Sequence, residues 1–191
     1  MANTDYYVQD ITQERNQWDK SVQKLAGKVS LIFSNCSMHW VRESDTAAHN
    51  MAKLLSNNGI IIMNIIYCGH IYRSLGADRR AELERRLRYP NAQQMIGQWV
   101  TAFNSAGLTR IEIKYREQNH ILPAKMYNET IQFSVNWFKR YLTDSTGDED
   151  MDQVIRELIY KERVRAVSEK SPNGEDMIEL KTQVWDFVVK K

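Results

Sequence analysis

The sequence predicts an α/β fold built on a mostly parallel sheet, and three observations carry that expectation. Val29-Ser30-Leu31-Ile32-Phe33 is a continuous apolar run of the kind shown by a strand buried on both faces. Ile60-Ile61-Ile62-Met63-Asn64-Ile65-Ile66 is a second such run, richer still in β-branched residues. Between them Ala48, Met51, Ala52 and Leu55 recur at helical spacing over Asp45 to Leu55. A helix between two buried strands calls for a parallel pair joined by a crossover.

Composition narrows the class. The 191 residues are 42% hydrophobic and 26% charged, which is globular. Lys and Arg number 26 against 24 Asp and Glu, a net charge of +2, and that balance argues against a dedicated nucleic-acid binder. No run of about 18 apolar residues occurs, so no membrane helix is expected. Met1-Ala2-Asn3-Thr4-Asp5 lacks a basic stretch leading into an apolar core, and a cytoplasmic protein is the expectation. The two cysteines, Cys36 and Cys68, are too few for a disulfide framework or a cysteine zinc site. His49, His70 and His120 show no metal-ligand spacing, so no metal is expected.

Taken in order, Tyr6-Tyr7-Val8-Gln9 reads as a short strand that leaves Asp10 at its tip, and Thr12 to Leu25 is compatible with a helix. The strand from Val29 ends in the small polar residues Ser34-Asn35-Cys36-Ser37, followed by Met38-His39-Trp40-Val41. Asn57-Asn58-Gly59 stops the next helix, glycine being favoured just past a helix end. Asp78 to Arg88 reads as a salt-bridged helix, and Cys68-Gly69-His70 carries no catalytic dyad, since sequence neighbours seldom form one. Asn91 to Asn104 is an amphipathic helix with Met95, Trp99 and Phe103 on its apolar face, and Leu108 to Tyr115 is a strand. Tyr127 to Leu142 reads as a helix, and Asp148-Glu149-Asp150 opens another after a linker at Thr143 to Asp150. Met177 to Val189 is the closing strand.

Phe33-Ser34-Asn35-Cys36-Ser37-Met38-His39-Trp40-Val41 resembles the strand-four signature of class I S-adenosylmethionine-dependent methyltransferases. The group it most resembles is the small-molecule carboxyl methyltransferases, notably juvenile hormone acid methyltransferase, with trans-aconitate methyltransferase a more distant relative. Leu54 to Ile62 resembles that family's helix, turn and strand five; Tyr7-Val8-Gln9-Asp10-Ile11 its strand-three tip; Asn104 to Ile113 the entry to strand six; and Gln183 to Lys191 its closing antiparallel strand. The resemblance implies a partial Rossmann-like sheet, mostly parallel with its last strand antiparallel, carrying helical lid insertions. It implies one domain over 1–191, with a cofactor-side core at 1–66, connecting helices at 67–106, and C-terminal strands at 107–191 that include a helical lid at 127–168. The sequence departs from the family at Ser30, where an acid is usual, and at Asn57-Asn58-Gly59, where a Pro-Gly-Gly-like turn is usual. No Gly-x-Gly-x-Gly loop is present. The family's first strand, its glycine loop and its ribose-binding acid would need on the order of 60 residues ahead of residue 5, so the chain reads as truncated.

The resemblance implies S-adenosylmethionine as cofactor and a small-molecule carboxylic acid, such as juvenile hormone acid or farnesoic acid, as methyl acceptor. Asp10 would accept from the adenine amine with the Ile11 N–H beside it; the plainer alternative is a solvated loop carboxylate. Ser34, Asn35 and Cys36 would line the methionine part, or simply make a tight turn. His39 and Trp40 would border the acceptor, the indole face suiting a soft sulfonium cation. Otherwise they are a strand-end histidine and a core anchor. A carboxylate acceptor is already anionic, so no catalytic base is assigned. With the glycine loop lacking, this form is expected to be inactive alone. The competing expectation is a non-catalytic remnant or isoform acting through protein contacts. Oligomeric state is not legible.

Overall fold

The computed structural model of the chain describes residues 4–67, 91–128 and 164–191, together with 131, 135, 136, 156 and 157. Among the described residues the strands are β1 (Val29–Ser34), β2 (Leu55–Tyr67), β3 (Arg110–Pro123), β4 (Val164–Lys170) and β5 (Asp176–Lys190), and the helices include α1 (Lys20–Gln23), α2 (Ser44–Leu54) and α3 (Ala92–Ser105). Turns of 3₁₀ helix stand at Arg15–Gln17 and Met38–Trp40. The sheet runs β1-β2-β5-β3, with β4 alongside β5. The chain divides into two compact units, one of residues 1–66, 92–116 and 184–191, the other of 67–91 and 117–183.

The first unit holds the predicted β-α-β core. β1 and β2 are parallel, Leu31 opposite Ile60 and Phe33 opposite Ile62. α2 makes the crossover and packs against α3. Ala47, Ala48 and Met51 of α2 meet a core that holds Ile61, Met63, Trp99, Phe103 and Phe187, all buried. Phe103 anchors it, with ring centroids 5.4 Å from Trp99 and 6.5 Å from Phe187. β5 runs against β3, since Glu112 pairs with Lys190 and Arg116 with Asp186. The expected antiparallel closing strand is therefore present.

β2 starts five residues earlier than predicted, at Leu55, and takes in Asn57-Asn58-Gly59. Gly59 is needed there for a reason other than helix termination. A Cβ at this position would lie 2.7 Å from Leu55 Cδ2 and 2.9 Å from the Val29 carbonyl, so only glycine lets β2 approach the start of β1. The C-terminal residue closes the same corner. The Lys191 N–H donates to Gly59 O at 3.1 Å, and its ammonium donates to Ala52 O at 2.7 Å and Leu55 O at 3.0 Å, placing a cation on the last carbonyls of α2.

Two local expectations fail in this unit. Residues 4–10 form no strand, and Tyr6 and Val8 are exposed. The Gln9 side chain instead folds the segment back, donating to Asp10 O and Gln13 Oε1 and accepting from the Asp19 N–H. A short aromatic run becomes a strand only when a neighbour completes its ladder, and no described strand lies beside it. The continuous helix expected over Thr12 to Leu25 is broken at Asp19, whose extended backbone and carboxylate cap α1 through the Ser21 N–H at 2.7 Å. Trp18 and Val22, four residues apart, are nevertheless buried.

In the second unit, β4 and β5 form an antiparallel hairpin, Val164 opposite Leu180 and Ala166 opposite Ile178. The turn at Ser171–Glu175 uses Gly174 at φ 77° and a Gly174 N–H to Ser171 O bond of 2.8 Å. This strand corrects the helical lid expected to run to 168, because the extended segment satisfies its backbone on β5. β3 also continues to Pro123, well past the predicted Tyr115. Tyr127, Ile131 and Val135, at the spacing predicted for a helix, are buried here. The predicted helix at Asp78 to Arg88, Cys68-Gly69-His70, the linker at Thr143 to Asp150 and most of the helices after Tyr127 lie outside the described residues.

Candidate functional site

The site assembles where the parallel strands end. A parallel pair aims both C-terminal ends at one edge of the sheet, and in open α/β sheets that edge receives ligands. β1 ends at Ser34, and the chain turns through Asn35 and Cys36 into the 3₁₀ turn Met38–Trp40. Cys36 has φ 54°, a left-handed conformation uncommon for a non-glycine residue. Asn64 of β2 holds it there, its Oδ1 accepting from the Cys36 N–H at 2.6 Å while its Nδ2 donates to Asn35 Oδ1 at 2.6 Å. Asn35 Oδ1 also takes a weak bond from the Cys36 thiol at 3.4 Å. Asn35 Nδ2 has no hydrogen-bond partner among the described residues and stands at an exposed position.

Ser34 differs from its two neighbours. It is buried, and its hydroxyl lies 2.7 Å from that of Ser37, so it braces the turn from inside. Asn35 and Cys36 face outward.

His39 and Trp40 stack, ring centroids 4.7 Å apart at 43°. Trp40 is 41% exposed and is not a core anchor. His39 Nδ1 is buried with no hydrogen-bond partner among the described residues. Burial pushes the imidazole pKa down to about 4, so the ring is neutral at physiological pH. A buried orphan nitrogen costs less as a lone pair than as an N–H, which favours the tautomer with the proton on Nε2. His39 then offers a neutral donor beside an aromatic face.

Asp10 stands in its own turn. Its Oδ1 accepts from the Thr12 N–H and Thr12 Oγ1, both at 2.8 Å. Those two bonds, the backbone one first, hold its pKa below the usual carboxylate value. The turn that contains Ile11 is fastened to α2 by Asn50, whose Nδ2 donates to Ile11 O and Gln13 O at 2.8 Å each. The Asp10 carboxylate makes no hydrogen bond to the 34–40 stretch.

Sequence reasoning missed Asn64, Arg116 and Asp186. Asn64 had a signal, being the one polar residue inside an otherwise apolar strand from Ile60 to Ile66. Arg116 Nε donates to Asp186 Oδ2 at 2.6 Å, which raises the guanidinium pKa; the Cys36 side chain adds to that shift, so the pair lies within electrostatic range of the turn. Residues on β3 and β5 reach this corner through tertiary pairing, which leaves no spacing to read. The described residues hold no group of three His, Cys, Asp or Glu suited to a metal ion, and no described helix is long and apolar enough to cross a membrane.

The donor set fits an S-adenosylmethionine-like ligand in part: a carboxylate acceptor at Asp10, an amide donor at Asn35, and an aromatic wall at Trp40. No protein-family model matches the chain, and no curated protein does. Matches exist among solved structures. A methyltransferase-like protein of Bacillus halodurans is 10% identical with a TM-score of 0.49, over 97% of this chain and 76% of that one. The YcgJ protein of Bacillus subtilis is 13% identical with a TM-score of 0.43, over 87% of this chain and 65% of that one. Phosphoethanolamine N-methyltransferase 2 of Haemonchus contortus, solved with phosphomonomethylethanolamine and S-adenosylhomocysteine, is 11% identical with a TM-score of 0.38, over 86% of this chain. This chain spans only 34% of that enzyme's length, and likenesses of this strength concern the path of the backbone.

Proposed function

We propose that this chain works in S-adenosylmethionine-dependent methyl transfer to a small-molecule carboxylic acid of the juvenile hormone acid or farnesoic acid kind. The observation that carries the reading is the grouping, at the ends of two parallel strands, of an uncommitted amide donor at Asn35 with the neutral His39 and the exposed Trp40. S-adenosylmethionine, when bound, supplies an electrophilic methyl on a sulfonium. A carboxylate oxygen takes that methyl without a base, so the protein's task is alignment and exclusion of water.

Asn35 would hold the methionine part and Asp10 the adenine amine. Trp40 would wall the acceptor, and His39 Nε2–H would hold one acceptor oxygen without adding charge. The O-methyl outcome follows from the carboxylate acceptor. The chain as given carries no Gly-x-Gly, so the backbone donors that a glycine loop contributes to such a ligand are lacking. Each lost hydrogen bond removes about 0.5–1.5 kcal/mol, so this form alone is expected to bind the cofactor several powers of ten more weakly than a chain with the loop.

Calorimetric titration with S-adenosylmethionine tests both statements. The 191-residue chain should show no micromolar binding. A version with a strand and Gly-x-Gly-x-Gly unit added ahead of residue 5 should bind, and should methylate members of a panel of terpenoid, fatty and tricarboxylic acids. Failure of the extended version to bind removes the assignment. Micromolar binding by the chain as given, abolished by Asp10→Ala, would show that the loop is dispensable. The competing reading is a non-catalytic role through protein contacts.

A further inference from the structure

Besides the 34–40 turn, the first unit holds a second concave surface, a groove between the 3₁₀ turn at Arg15–Gln17 and α2. Its volume is about 470 Å³, within the range of small-molecule sites. Both walls are built from residues within 14–16 and 45–53, and β1 contributes nothing to them. Every lining side chain is polar or charged, so an apolar occupant would have nothing to pack against.

Helical spacing brings α2 into this groove. Asp45, His49 and Lys53 stand four residues apart on one stripe, with Asn50 beside them. Asp45 is in the first turn and Lys53 in the last, about 12 Å away along the axis. Glu14 and Arg15 form the opposite wall. The two acids and two bases are exposed, and none of the four side chains makes a hydrogen bond or an ion pair among the described residues.

Asn50 decides what the groove can hold. It is 3% exposed, and its Nδ2 spends both hydrogens on Ile11 O and Gln13 O. Both partners are carbonyls, which only accept, so the amide cannot be turned over and Oδ1 is fixed in place. That oxygen accepts nothing from the described residues, and it is not sealed in as His39 Nδ1 is, so it opens into the groove. An amide oxygen so placed asks the occupant for a donor. His49 adds to the demand. Its Nδ1 donates to Asp45 O at 2.9 Å, which leaves Nε2 of the neutral ring as a second acceptor. The helix dipole by itself favours an acid at the start of α2 and a base at its end, but it does not call for an open acceptor between them.

We propose that this groove binds a small zwitterion of the amino-acid class, its ammonium on Asn50 Oδ1 beside Asp45 and its carboxylate on Lys53 and Arg15. The lining selects that class. A plain anion would meet two carboxylates and two neutral acceptors, and a plain cation would meet a lysine and an arginine. A zwitterion matches both signs and brings its donor to the position that lacks one. Asn50 and Lys53 are one helical turn apart, about 4.5 Å of rise, which a single amino acid covers with the reach of the lysine arm. The charges stand in water, where each contact contributes little, so the affinity is about millimolar. This inference goes beyond the methyl-transfer reading and does not depend on it.

Nuclear magnetic resonance titration of the isotope-labelled 191-residue chain tests it, with L-glutamine, L-serine and glycylglycine as probes. The N-acetyl and carboxamide forms of each probe, which lack one of the two charges, are the controls. At least one probe should bind at about 1 mM or tighter and shift the amide signals of residues 14–16 and 45–53. Its blocked forms should bind at least about tenfold more weakly. Asp45→Asn and Lys53→Gln, both at exposed side chains, should each weaken binding by about threefold and leave the circular dichroism spectrum unchanged. The proposal is overturned if no probe binds by about 10 mM, or if the shifts centre on residues 34–40. Blocked forms that bind as well as their parents, or an affinity indifferent to both substitutions, overturn it equally.

Discussion

The neutral buried histidine makes stability depend on pH in a definite window. His39 titrates at about 4 in the folded chain because its ring is desolvated, whereas in the unfolded chain it titrates near the ordinary histidine value of 6.5. Above pH 6.5 both states are neutral and the packing of the ring is fully available. Below it the unfolded chain takes up a proton that the folded chain refuses, so stability falls as pH drops, and the loss is complete once pH passes the folded value. The linkage between pH 7.5 and pH 5 comes to about 2 kcal/mol from these two values. For a chain of this size that corresponds to a fall in Tm of about 4–8 °C.

Other groups titrate in the same range, so the measurement is a difference. Thermal unfolding of the native chain and of His39→Leu, which keeps the volume and removes the proton, is compared at both pH values. The gap between them should shift by about 2 kcal/mol against the native chain at pH 5. An unchanged gap, or a His39 proton resonance that titrates near 6.5, would falsify the burial argument and with it the neutral donor assigned to the site.

Gly59→Ala should destabilise by about 1–3 kcal/mol in urea unfolding, because the new Cβ meets Leu55 Cδ2 at 2.7 Å and the Val29 carbonyl at 2.9 Å; a neutral result would mean that β2 can slide on β1. Asn64→Ala removes both ties to the turn, the 2.6 Å bonds to Cys36 N–H and Asn35 Oδ1, and should cost about 1–2 kcal/mol while raising the reactivity of the Cys36 thiol toward a disulfide reagent. Lys191→Ala should cost about 0.3–1 kcal/mol, since it uncaps α2 at Ala52 and Leu55, and half-molar salt should narrow the difference if the charge contributes.

Periodicity made the centre of the fold legible. The apolar run at 60–66 and the helical spacings at 45–55 and 91–104 report burial directly, whereas the run at 29–33 forms the expected strand without the expected burial on both faces, Leu31 and Phe33 being exposed. The readings that failed depended on partners. Tyr6 to Gln9 has strand residues but no described neighbour to complete a ladder, while Val164 to Lys170 sits in a strand because β5 lies alongside it. Asn57-Asn58-Gly59 looks like a helix stop, yet Gly59 answers to a carbonyl thirty residues earlier in the chain, at Val29. Local chemistry cannot announce a contact of that range.

The candidate site divides along the same line. Residues 34–40 were legible because one turn carries them, and a strand end followed by small polar and aromatic residues is a readable pattern. What gives that turn its shape was not. Asn64 comes from the neighbouring strand, and its amide fixes both the left-handed backbone at Cys36 and the rotation of Asn35, so the outward donor of Asn35 is a product of β1–β2 register. A slip of one residue along β2 would bring Met63 or Ile65 to that position, leaving Cys36 N–H without its acceptor and Asn35 without its anchor. The glycine at 59 and the lysine at 191 that lock the start of β2 therefore act on the geometry at its far end. The site's precision is set at the closed corner of the sheet, where no residue touches a ligand.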